Sequence, residues 1–492
     1  MYLLNKIEYW ARKSPDHPAI VFSDDSWSFE KLRSAAHHTS YLLAEVHRVT
    51  AGDRVAYLGL NHPSMLILLL ACERLGAIFT PFNSRLAEEE YNYLLRDSEP
   101  KVCYVDPAFE RVAATLENND CPMIPLEDLN HSTDQESHPG GGANDQSALL
   151  LVYTSGTTGK PKGVLLSQHA VKTNIDNCNA LYNFKHGDRV QITLPLFHVG
   201  GLCILLLPAL TEGATIHLHR SFDPIRTLHD IEENQLMTSI FVPAQMAAMM
   251  VSPAWETCDL SSMKFVAAGS SIIPKKQIQN FHQKNIPVSQ IYGATETGPT
   301  AIGLAIEDAF DHEGTAGKPA KYCDIEIRTT DGRICDANEN GEIWVKGENL
   351  FMQYWRNQAE TEKVLVNDWY NTGDIGHHDN AGFYWIVDRA KDMIISGGEN
   401  IYPAEVEAVS LEHPAIASIA VVGKPDEIWG ETPVAAVELN EGHTLTLDGY
   451  HEFLKPKLAR YKQPKLLHIF DQLPRNAMGK IEKSSLRNMI NK

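Results

Sequence analysis

The chain has 492 residues, of which 43% are hydrophobic and 22% charged, so it is long enough for about two to four globular domains. Its formal net charge of −20 argues against a nucleic-acid partner, which would require a basic stripe, although local lysines can still bind small anions. The longest apolar runs, Met65 to Cys72 and Leu202 to Leu210, are much shorter than the ~20 residues that cross a bilayer. The sequence therefore predicts no integral membrane segment.

The cysteines and the start of the chain indicate a compartment. The chain has eight cysteines, scattered without CxxC spacing, which is typical of a reducing cytosol. Residues Met1 to Trp10 lack the sustained apolar core of a signal peptide. We therefore predict a cytoplasmic protein without a disulfide framework.

The first part of the chain alternates between helix and strand, which argues for layered α/β architecture through residue ~330. The apolar periodicity predicts these elements in chain order: a helix over Leu3–Arg12, a helix over Phe29–Val46 capped by Ser28, a strand over Arg54–Leu60, a helix from about His62 to Leu75, and a strand over Ala77–Pro81.

The pattern of apolar and polar residues then changes twice along the chain. Residues 127–147 are polar and form a flexible connector before the apolar run at Leu149. Between Tyr322 and Asp388, strands such as Asp324–Arg328 and Glu342–Lys346 alternate with turn signals, which predicts a small β-rich subdomain. A final α/β segment follows. We predict a large N-terminal domain of layered α/β subdomains over 1–388 and a small α+β C-terminal domain over 389–492.

The most informative stretch runs from Tyr153 to Gly163, where hydroxyl side chains and glycines interleave before two lysines. Glycines let backbone N–H groups turn toward an anion, and hydroxyls add donors without bulk, so a loop of this kind after a strand predicts a phosphate cradle. It is not a Walker A loop, because only two residues separate Gly156 from Gly159 and Pro161 follows Lys160. The alternative is an ordinary surface loop.

Four further clusters carry candidate chemistry, and each has a plain structural alternative. The cluster 291–297 offers an aromatic face and a carboxylate but is also typical of a strand end. The cluster 370–374 places an aspartate after a turn glycine, where it binds ribose hydroxyls or only shapes the turn. The cluster 388–403 fits a domain hinge or a simple hairpin. The cluster 473–481 presents a lysine on a loop, like many solvated surface lysines.

Taken in this order, the five clusters resemble the core motifs of the adenylate-forming superfamily of acyl-CoA synthetases, peptide adenylation domains and beetle luciferases. The resemblance covers nearly the whole chain and extends to Pro195–His198 and Ala268–Ser271. It implies a ligase that first joins a carboxylate to the α-phosphate of ATP with Mg²⁺, releasing pyrophosphate, and then transfers the acyl group to coenzyme A, releasing AMP.

The resemblance also implies a role for each matching residue. The phosphate loop would hold the β- and γ-phosphates through Thr154, Ser155, Gly156, Thr157, Thr158, Gly159, Lys160 and Lys162. Thr154 and Glu296 would hold Mg²⁺, and Thr295 would meet the α-phosphate. The adenine slot would be formed by Gly269, Ser270, Ser271, Tyr292 and Gly293. Asp374 would take the ribose hydroxyls, with Arg389 nearby.

The same resemblance assigns the mobile parts. Lys480 would bridge the substrate carboxylate and the α-phosphate, where a positioned cation relieves the repulsion between two anions. Lys391 would be the hinge about which the C-terminal domain rotates between half-reactions, bringing Gly397 and Gly398 to the pantetheine channel. His198 would gate the passage between the acid and the thiol, with a buried structural histidine as the alternative.

The acid and its acceptor are less constrained. The expected pocket segments are mostly small and apolar and offer no aspartate for an amino group, so fatty, cinnamate-type and succinylbenzoate acids all stay open; the segments are 197–201, 241–244, 267–268 and 297–299. A freestanding enzyme that loads a carrier protein is the main alternative, followed by a luciferase-like oxygenase and a nucleotide-binding regulator without catalysis. A homodimer is also left open.

Overall fold

A computed structural model of the chain describes residues 1–117, 120–129, 140–141, 143–154, 161–396, 399–426, 429–476 and 479–490. The chain divides into two compact units. Unit 1 comprises Met1–Ile325 and Val345–Tyr370, and unit 2 comprises Glu326–Trp344 and Asn371–Lys492. Unit 2 therefore includes residues 326–344 and 371–388, which precede the predicted boundary, and the domain boundary between 388 and 389 stays a prediction.

The helices of the described residues are mostly short, and none of them is long and apolar enough to cross a membrane. They are α1 (Leu3–Lys13), α2 (Phe29–Tyr41), α3 (Pro63–Leu75), α4 (Glu88–Ser98), α5 (Glu110–Thr115), α6 (Gln168–Tyr182), α7 (Val199–Gly201), α8 (Leu207–Thr211), α9 (Pro224–Asn234), α10 (Pro243–Met250), α11 (Ala254–Thr257), α12 (Lys275–Gln283), α13 (Gln358–Val364), α14 (Pro403–Ser410), α15 (Leu447–Leu454) and α16 (Lys483–Ile490).

The strands alternate with these helices through the first part of the chain and then dominate it. They are β1 (Pro18–Phe22), β2 (Asp25–Ser28), β3 (Arg54–Leu58), β4 (Ile78–Phe82), β5 (Val102–Val105), β6 (Met123–Pro125), β7 (Ala148–Thr154), β8 (Lys162–Ser167), β9 (Arg189–Ile192), β10 (Thr215–Leu218), β11 (Thr238–Phe241), β12 (Phe265–Gly269), β13 (Val288–Tyr292), β14 (Ile302–Gly303), β15 (Lys318–Pro319), β16 (Cys323–Arg328), β17 (Gly341–Gly347), β18 (Gln353–Tyr354), β19 (Leu365–Val366), β20 (Trp369–His378), β21 (Tyr384–Arg389), β22 (Ile394–Ser396), β23 (Glu399–Ile401), β24 (Ile416–Asp426), β25 (Gly430–Leu439) and β26 (Leu466–Ile469).

The local sequence explains where the first helices begin and end. The side chain of Ser28 accepts a hydrogen bond from the Lys31 N–H at 3.2 Å, which confirms the cap predicted for α2. The predicted helix over Phe29–Val46 continues beyond Tyr41 only as a π-helical segment, Leu42–Val46. Helix α3 starts with Pro63 and ends at Gly76, whose φ of +72° is the left-handed conformation that glycine adopts without strain.

Unit 1 contains two large mixed sheets, which confirms the predicted α/β class. One has nine strands in the order β15-β14-β13-β12-β11-β9-β10-β1-β2, and the other has seven in the order β18-β8-β7-β4-β3-β5-β6. Strands β9 to β13 pair in parallel, as do β3, β4 and β5. Parallel strands gather their carboxyl ends at one edge, where open α/β sheets usually bind ligands.

The predicted β-rich region contains the two strands expected there, seen as β16 and β17. A five-stranded sheet has the order β16-β17-β20-β19, with β21 paired to β20. Strands β20 and β21 are antiparallel, and their register places Asp374 opposite Arg389. Two of the motif residues, 15 positions apart in the sequence, therefore face each other.

The C-terminal part of unit 2 is a sheet with helices on both faces. Its strands have the order β23-β22-β25-β24, with β26 paired in parallel to β25. Side chains alternate across this sheet, so Val421 joins a core with Tyr450 of α15, while its neighbour Val422 joins a second core with Leu486 of α16. Because both faces of the sheet are covered by helices, consecutive residues of β24 are apolar.

Candidate active site

The phosphate-loop motif lies between two paired strands of unit 1. Strands β7 and β8 are antiparallel, and Thr154 is the register partner of Lys162. The Thr154 hydroxyl donates to the Lys162 carbonyl at 3.4 Å. These two residues hold the ends of the loop, while Ser155, Gly156, Thr157, Thr158, Gly159 and Lys160 lie outside the described residues.

Glu296 is brought to this hairpin by a tyrosine that the sequence reasoning missed. Glu296 lies in a 3₁₀ turn over Thr295–Thr297 after β13, and its Oε1 accepts a hydrogen bond from the Tyr354 hydroxyl at 2.8 Å. Strand β18, which carries Tyr354, pairs with β8 directly opposite Val164. Burial and the Glu296 charge raise the pKa of Tyr354, so its hydroxyl stays protonated and keeps donating.

The Lys162 ammonium is part of the same cluster. It donates to Glu360 at 2.7 Å and lies 5.3 Å from the centroid of the Tyr354 ring. Hydrogen bonds from Lys162 and Lys363 lower the pKa of Glu360 to about 2. The predicted phosphate ligand Lys162 is thus held by a carboxylate, while the Thr154 hydroxyl and Glu296 carboxylate offer the hard oxygen donors that fit Mg²⁺.

The predicted adenine slot falls at the carboxyl ends of adjacent parallel strands. Gly269 ends β12 as the register partner of Ile291 in β13, and Tyr292 ends β13 half-buried. Ser270 and Ser271, which follow β12, are exposed, and Ser270 has a φ of +75°. A non-glycine residue in this conformation is strained, and such residues concentrate at ligand sites.

Gly293 is required by the fold itself. A Cβ at this position would lie 1.8 Å from the Pro299 carbonyl oxygen. Gly293 is also a predicted residue of the adenine slot, but the first clash of a side chain here would be with the chain's own backbone. Thr295, two residues later, is buried with 5% of its surface exposed.

His198 has a structural role as the cap of α7. Its Nδ1 accepts a hydrogen bond from the Gly200 N–H at 3.0 Å, so Nε2 carries the proton in the neutral ring. The side chain is half-buried and not fully enclosed. This histidine is therefore fixed in orientation and still reaches the protein surface.

Asn61 holds the segment that contains His198. Its side-chain amide donates to the Leu194 and His219 carbonyls, both at 2.9 Å, and its Oδ1 accepts from the Leu196 N–H at 2.8 Å. Asn61 is 4% exposed, so these bonds are shielded from water. The local sequence carries only a weak signal here, since an asparagine before His-Pro predicts a turn and not a set of long-range hydrogen bonds.

Part of the expected acid pocket is core. Phe241, Ala267 and Ala268 are each 0% exposed and belong to the apolar cores of unit 1. Their small and aromatic side chains therefore fill the protein interior and do not face open space, which corrects the expectation that they line a pocket. Gly201 serves the backbone as well, because a Cβ there would lie 2.4 Å from the Pro195 carbonyl oxygen.

Unit 2 brings three predicted site residues together. Arg389 Nε lies 2.7 Å from Asp374 Oδ1, and the Asp374 side chain is 9% exposed while that of Arg389 is 51% exposed. Both residues influence the charge on Lys480. The cluster of Asp374, Arg389 and Lys480 joins motifs that are about a hundred residues apart in the chain.

Lys480 has a strongly altered basicity. Its side chain is exposed, although protein atoms packed around the ammonium desolvate it. This burial, followed by the Arg389 charge, lowers the pKa of Lys480 to about 8, while Asp374 acts in the opposite direction. The loop itself is pinned, because the Lys480 N–H donates to the Asn476 side chain at 3.0 Å.

The predicted hinge is a short 3₁₀ turn. Lys391 is exposed within Ala390–Asp392, between β21 and β22. Asp388 on one side accepts from the Ala404 N–H at the start of α14 at 2.7 Å, and Asp392 on the other pairs with Arg487 of α16 at 2.7 Å. The predicted tunnel residues Gly397 and Gly398 lie outside the described residues.

Comparison with known proteins decides the family. The family model of the AMP-binding enzyme matches residues 7–355, and that of the AMP-binding enzyme C-terminal domain matches residues 405–480. The chain belongs to the AMP-binding enzymes. This AMP-binding enzyme is 41% identical over 502 residues to the indoleacetate–CoA ligase of Aromatoleum aromaticum, covering 100% of this chain and 98% of that one. It is 35% identical over 478 residues to the feruloyl-CoA synthase of an Amycolatopsis species, covering 97% and 96%.

Solved structures agree with this assignment. The o-succinylbenzoate CoA synthetase of Bacillus subtilis, in complex with its acyl-adenylate intermediate, has a TM-score of 0.88 at 33% identity and covers 99% of this chain and 98% of that chain. Its complex with ATP and magnesium ion has a TM-score of 0.87 at 33% identity and covers 98% of each chain.

These matches confirm the predicted reaction class. The AMP-binding enzyme is a carboxylic acid:CoA ligase that acts through an acyl-adenylate, and it uses ATP, Mg²⁺ and coenzyme A.

Proposed function

We propose that the substrate is an aryl or arylalkyl carboxylic acid and that coenzyme A is the acceptor. The observation that carries this proposal is the 41% identity to an indoleacetate–CoA ligase along the whole of both chains. The chain's own residues agree, since the predicted pocket segments place no aspartate to receive a substrate amino group. Fatty acids and a carrier-protein acceptor are the alternatives that the experiment has to exclude.

For the first half-reaction, we propose that Lys480 holds the substrate carboxylate against the α-phosphate. A single donor that faces the charge developing in the transition state stabilises that state by about 3 kcal/mol. Thr154 and Glu296 supply oxygen ligands for Mg²⁺, which neutralises phosphate charge when bound. Tyr354 fixes the Glu296 carboxylate from the side at 2.8 Å.

We propose nucleotide-binding roles for residues of each unit, taken separately. Asp374 accepts the ribose hydroxyls through a carboxylate that Arg389 holds at 2.7 Å. Tyr292 stacks the adenine beside the exposed Ser270 and Ser271, and Thr295 meets the α-phosphate.

For the second half-reaction, we propose that the C-terminal domain turns about Lys391 and withdraws Lys480. Gly397 and Gly398 then approach the pantetheine arm, where a side chain would narrow the passage. His198 gates the route of the thiol to the acyl carbonyl. Its Nδ1 accepts the Gly200 N–H, which fixes the orientation of the ring.

A panel of carboxylic acids tests the substrate class. Purified protein with ATP and Mg²⁺ is given indoleacetate, phenylacetate, ferulate, o-succinylbenzoate and decanoate, and AMP release is measured with and without coenzyme A. We expect kcat/KM for an aryl acid to exceed that for decanoate by at least about tenfold, and AMP release to require coenzyme A. A preference for decanoate, or turnover with an acyl carrier protein in place of coenzyme A, would contradict the proposal.

We also propose the cytosol as the location of the enzyme. All eight cysteines are free and buried. Reduced thiols in this number are typical of a reducing compartment. Cell fractionation with immunodetection of the protein would test this, since recovery of the protein mainly from the culture medium or from the membrane fraction would contradict it.

A further inference from the structure

A group of three potential metal ligands lies in unit 1, and none of the three has been assigned a role in the ligase reaction. His229, Glu232 and Cys258 each offer one ligand atom, and these atoms all lie within 4.8 Å of one another. His229 and Glu232 are half-buried, and Cys258 is 7% exposed. The set mixes imidazole, carboxylate and thiol, which is a zinc-type donor combination.

Two separate elements supply the ligands. His229 and Glu232 lie three residues apart on α9, so both side chains leave the same face of the helix. Cys258 is the residue that ends α11, and its N–H donates to the Ala254 carbonyl at 3.0 Å. A bound ion would therefore link α9 to the end of α11.

The surrounding core holds the two elements in fixed relation. Leu228 and Ile231 of α9 are each 1% exposed and join the same apolar core as Trp255 and Cys258. Cores of this kind are densely packed and deform little. The ligand atoms are therefore positioned before any ion arrives, which lowers the ordering cost of binding.

The distances fit a tetrahedral ion. His229 Nδ1 and Cys258 Sγ are 3.5 Å apart. Bonds of about 2.3 Å to sulfur and about 2.05 Å to nitrogen at a tetrahedral angle place these two atoms about 3.6 Å apart. The Glu232 oxygen lies no more than 4.8 Å from either of the other two ligand atoms. It therefore has to move closer by at most about 1.2 Å to reach the same spacing of about 3.6 Å. The Asp259 N–H already orients that carboxylate, donating to Oε1 at 3.0 Å.

We propose that His229, Glu232 and Cys258 form a binding site for Zn²⁺, with water in the fourth position. Mg²⁺ is not the occupant, because it prefers all-oxygen ligands and this set offers only one carboxylate. When the S–Zn bond forms, the S–H bond breaks and its proton leaves to solvent, so no oxidant or reductant is involved. The site is independent of the ligase assignment.

The plain alternative is a thiol–imidazole hydrogen bond, in which the Cys258 S–H donates to His229 Nδ1 at the same 3.5 Å. Cobalt separates the two, because a thiolate bound to Co²⁺ produces a charge-transfer band in the near ultraviolet. Full-length protein freed of metal with a chelator is titrated with Co²⁺ in excess Mg²⁺. We expect one equivalent to produce the band and Zn²⁺ to displace it. No band at millimolar Co²⁺ would overturn the proposal.

Variants assign the band to these residues. Cys258→Ser should abolish the band, and His229→Gln, on a half-exposed helix face, should weaken Zn²⁺ binding by at least about a hundredfold, since even outer-shell changes cost ten- to a hundredfold. Cys335→Ser is the matched control, since Cys335 is another buried thiol, in unit 2, whose sulfur contacts the Asn340 carbonyl. Zn²⁺ should raise the melting temperature of the wild type and of Cys335→Ser, but not that of Cys258→Ser or His229→Gln. A band that persists in Cys258→Ser, or equal Zn²⁺ affinity in wild type and His229→Gln, would refute the site.

Discussion

Replacing Lys480 with arginine should move the high-pH limit of adenylation upward. The lysine has its pKa lowered to about 8 by burial and then by Arg389. With that value, about nine-tenths of the molecules carry the charge at pH 7 and about one-tenth at pH 9. Since the charged form is the one that attracts two anions, kcat/KM for adenylation should fall about tenfold per pH unit above pH 8.

Arginine stays charged over this whole range, so the falling limb at about pH 8 should disappear in Lys480→Arg, whatever its maximal rate. Lys480→Ala removes the charge outright, and the loss of one stabilising donor costs on the order of 3 kcal/mol, or about a hundredfold in rate. The assay is acid-dependent ATP–pyrophosphate exchange from about pH 6 to about pH 10, because kcat/KM reports ionisations of the free enzyme.

Two controls keep the interpretation sharp. Thioester formation from presynthesised acyl-adenylate should survive Lys480→Ala, because that step no longer brings two anions together. Arg389→Gln should shift the falling limb to higher pH, because the Arg389 charge lowers the pKa of Lys480. A falling limb near pH 8 that persists in Lys480→Arg, or equal loss of both half-reactions in Lys480→Ala, would refute the reasoning.

Three further changes test contacts that the structure added. Tyr354→Phe removes the hydrogen bond to Glu296, so pyrophosphate exchange should need about tenfold more Mg²⁺; an unchanged Mg²⁺ titration would contradict the orienting role. Asn61→Ala removes the clamp on the His198 segment and should lower the melting temperature, while slowing thioester formation more than adenylation, as measured on each half-reaction; equal slowing would count against it. In α1, two backbone N–H groups donate to the Glu73 carboxylate at 2.8 Å, and Glu73→Ala leaves both without an acceptor. The free energy of unfolding, measured by urea denaturation, should fall by roughly 3 kcal/mol. Glu73→Gln keeps one acceptor oxygen and should lower it less; an equal loss in both variants would contradict this role.

The sequence by itself determined the elements and the family. Ser28 caps α2, and Pro63 and Gly76 bound α3, because caps and breakers act on backbone groups within about one turn. The order of the motifs is sufficient to identify the family, and the named roles of Lys480, Glu296 and Asp374 rest on those motifs. Such signals are local in the chain, so one sequence suffices to read them.

Only the tertiary structure decided which distant side chains meet. Tyr354 reaches Glu296 across 58 residues, and Asn61 clamps a segment 133 residues away. Phe241 turned out to be core, although its sequence neighbourhood was compatible with a pocket. The lowered pKa of Lys480 and the meeting of His229 with Cys258 also arise from packing. Burial, charge proximity and ligand spacing depend on the whole path of the chain, which no local pattern of residues encodes.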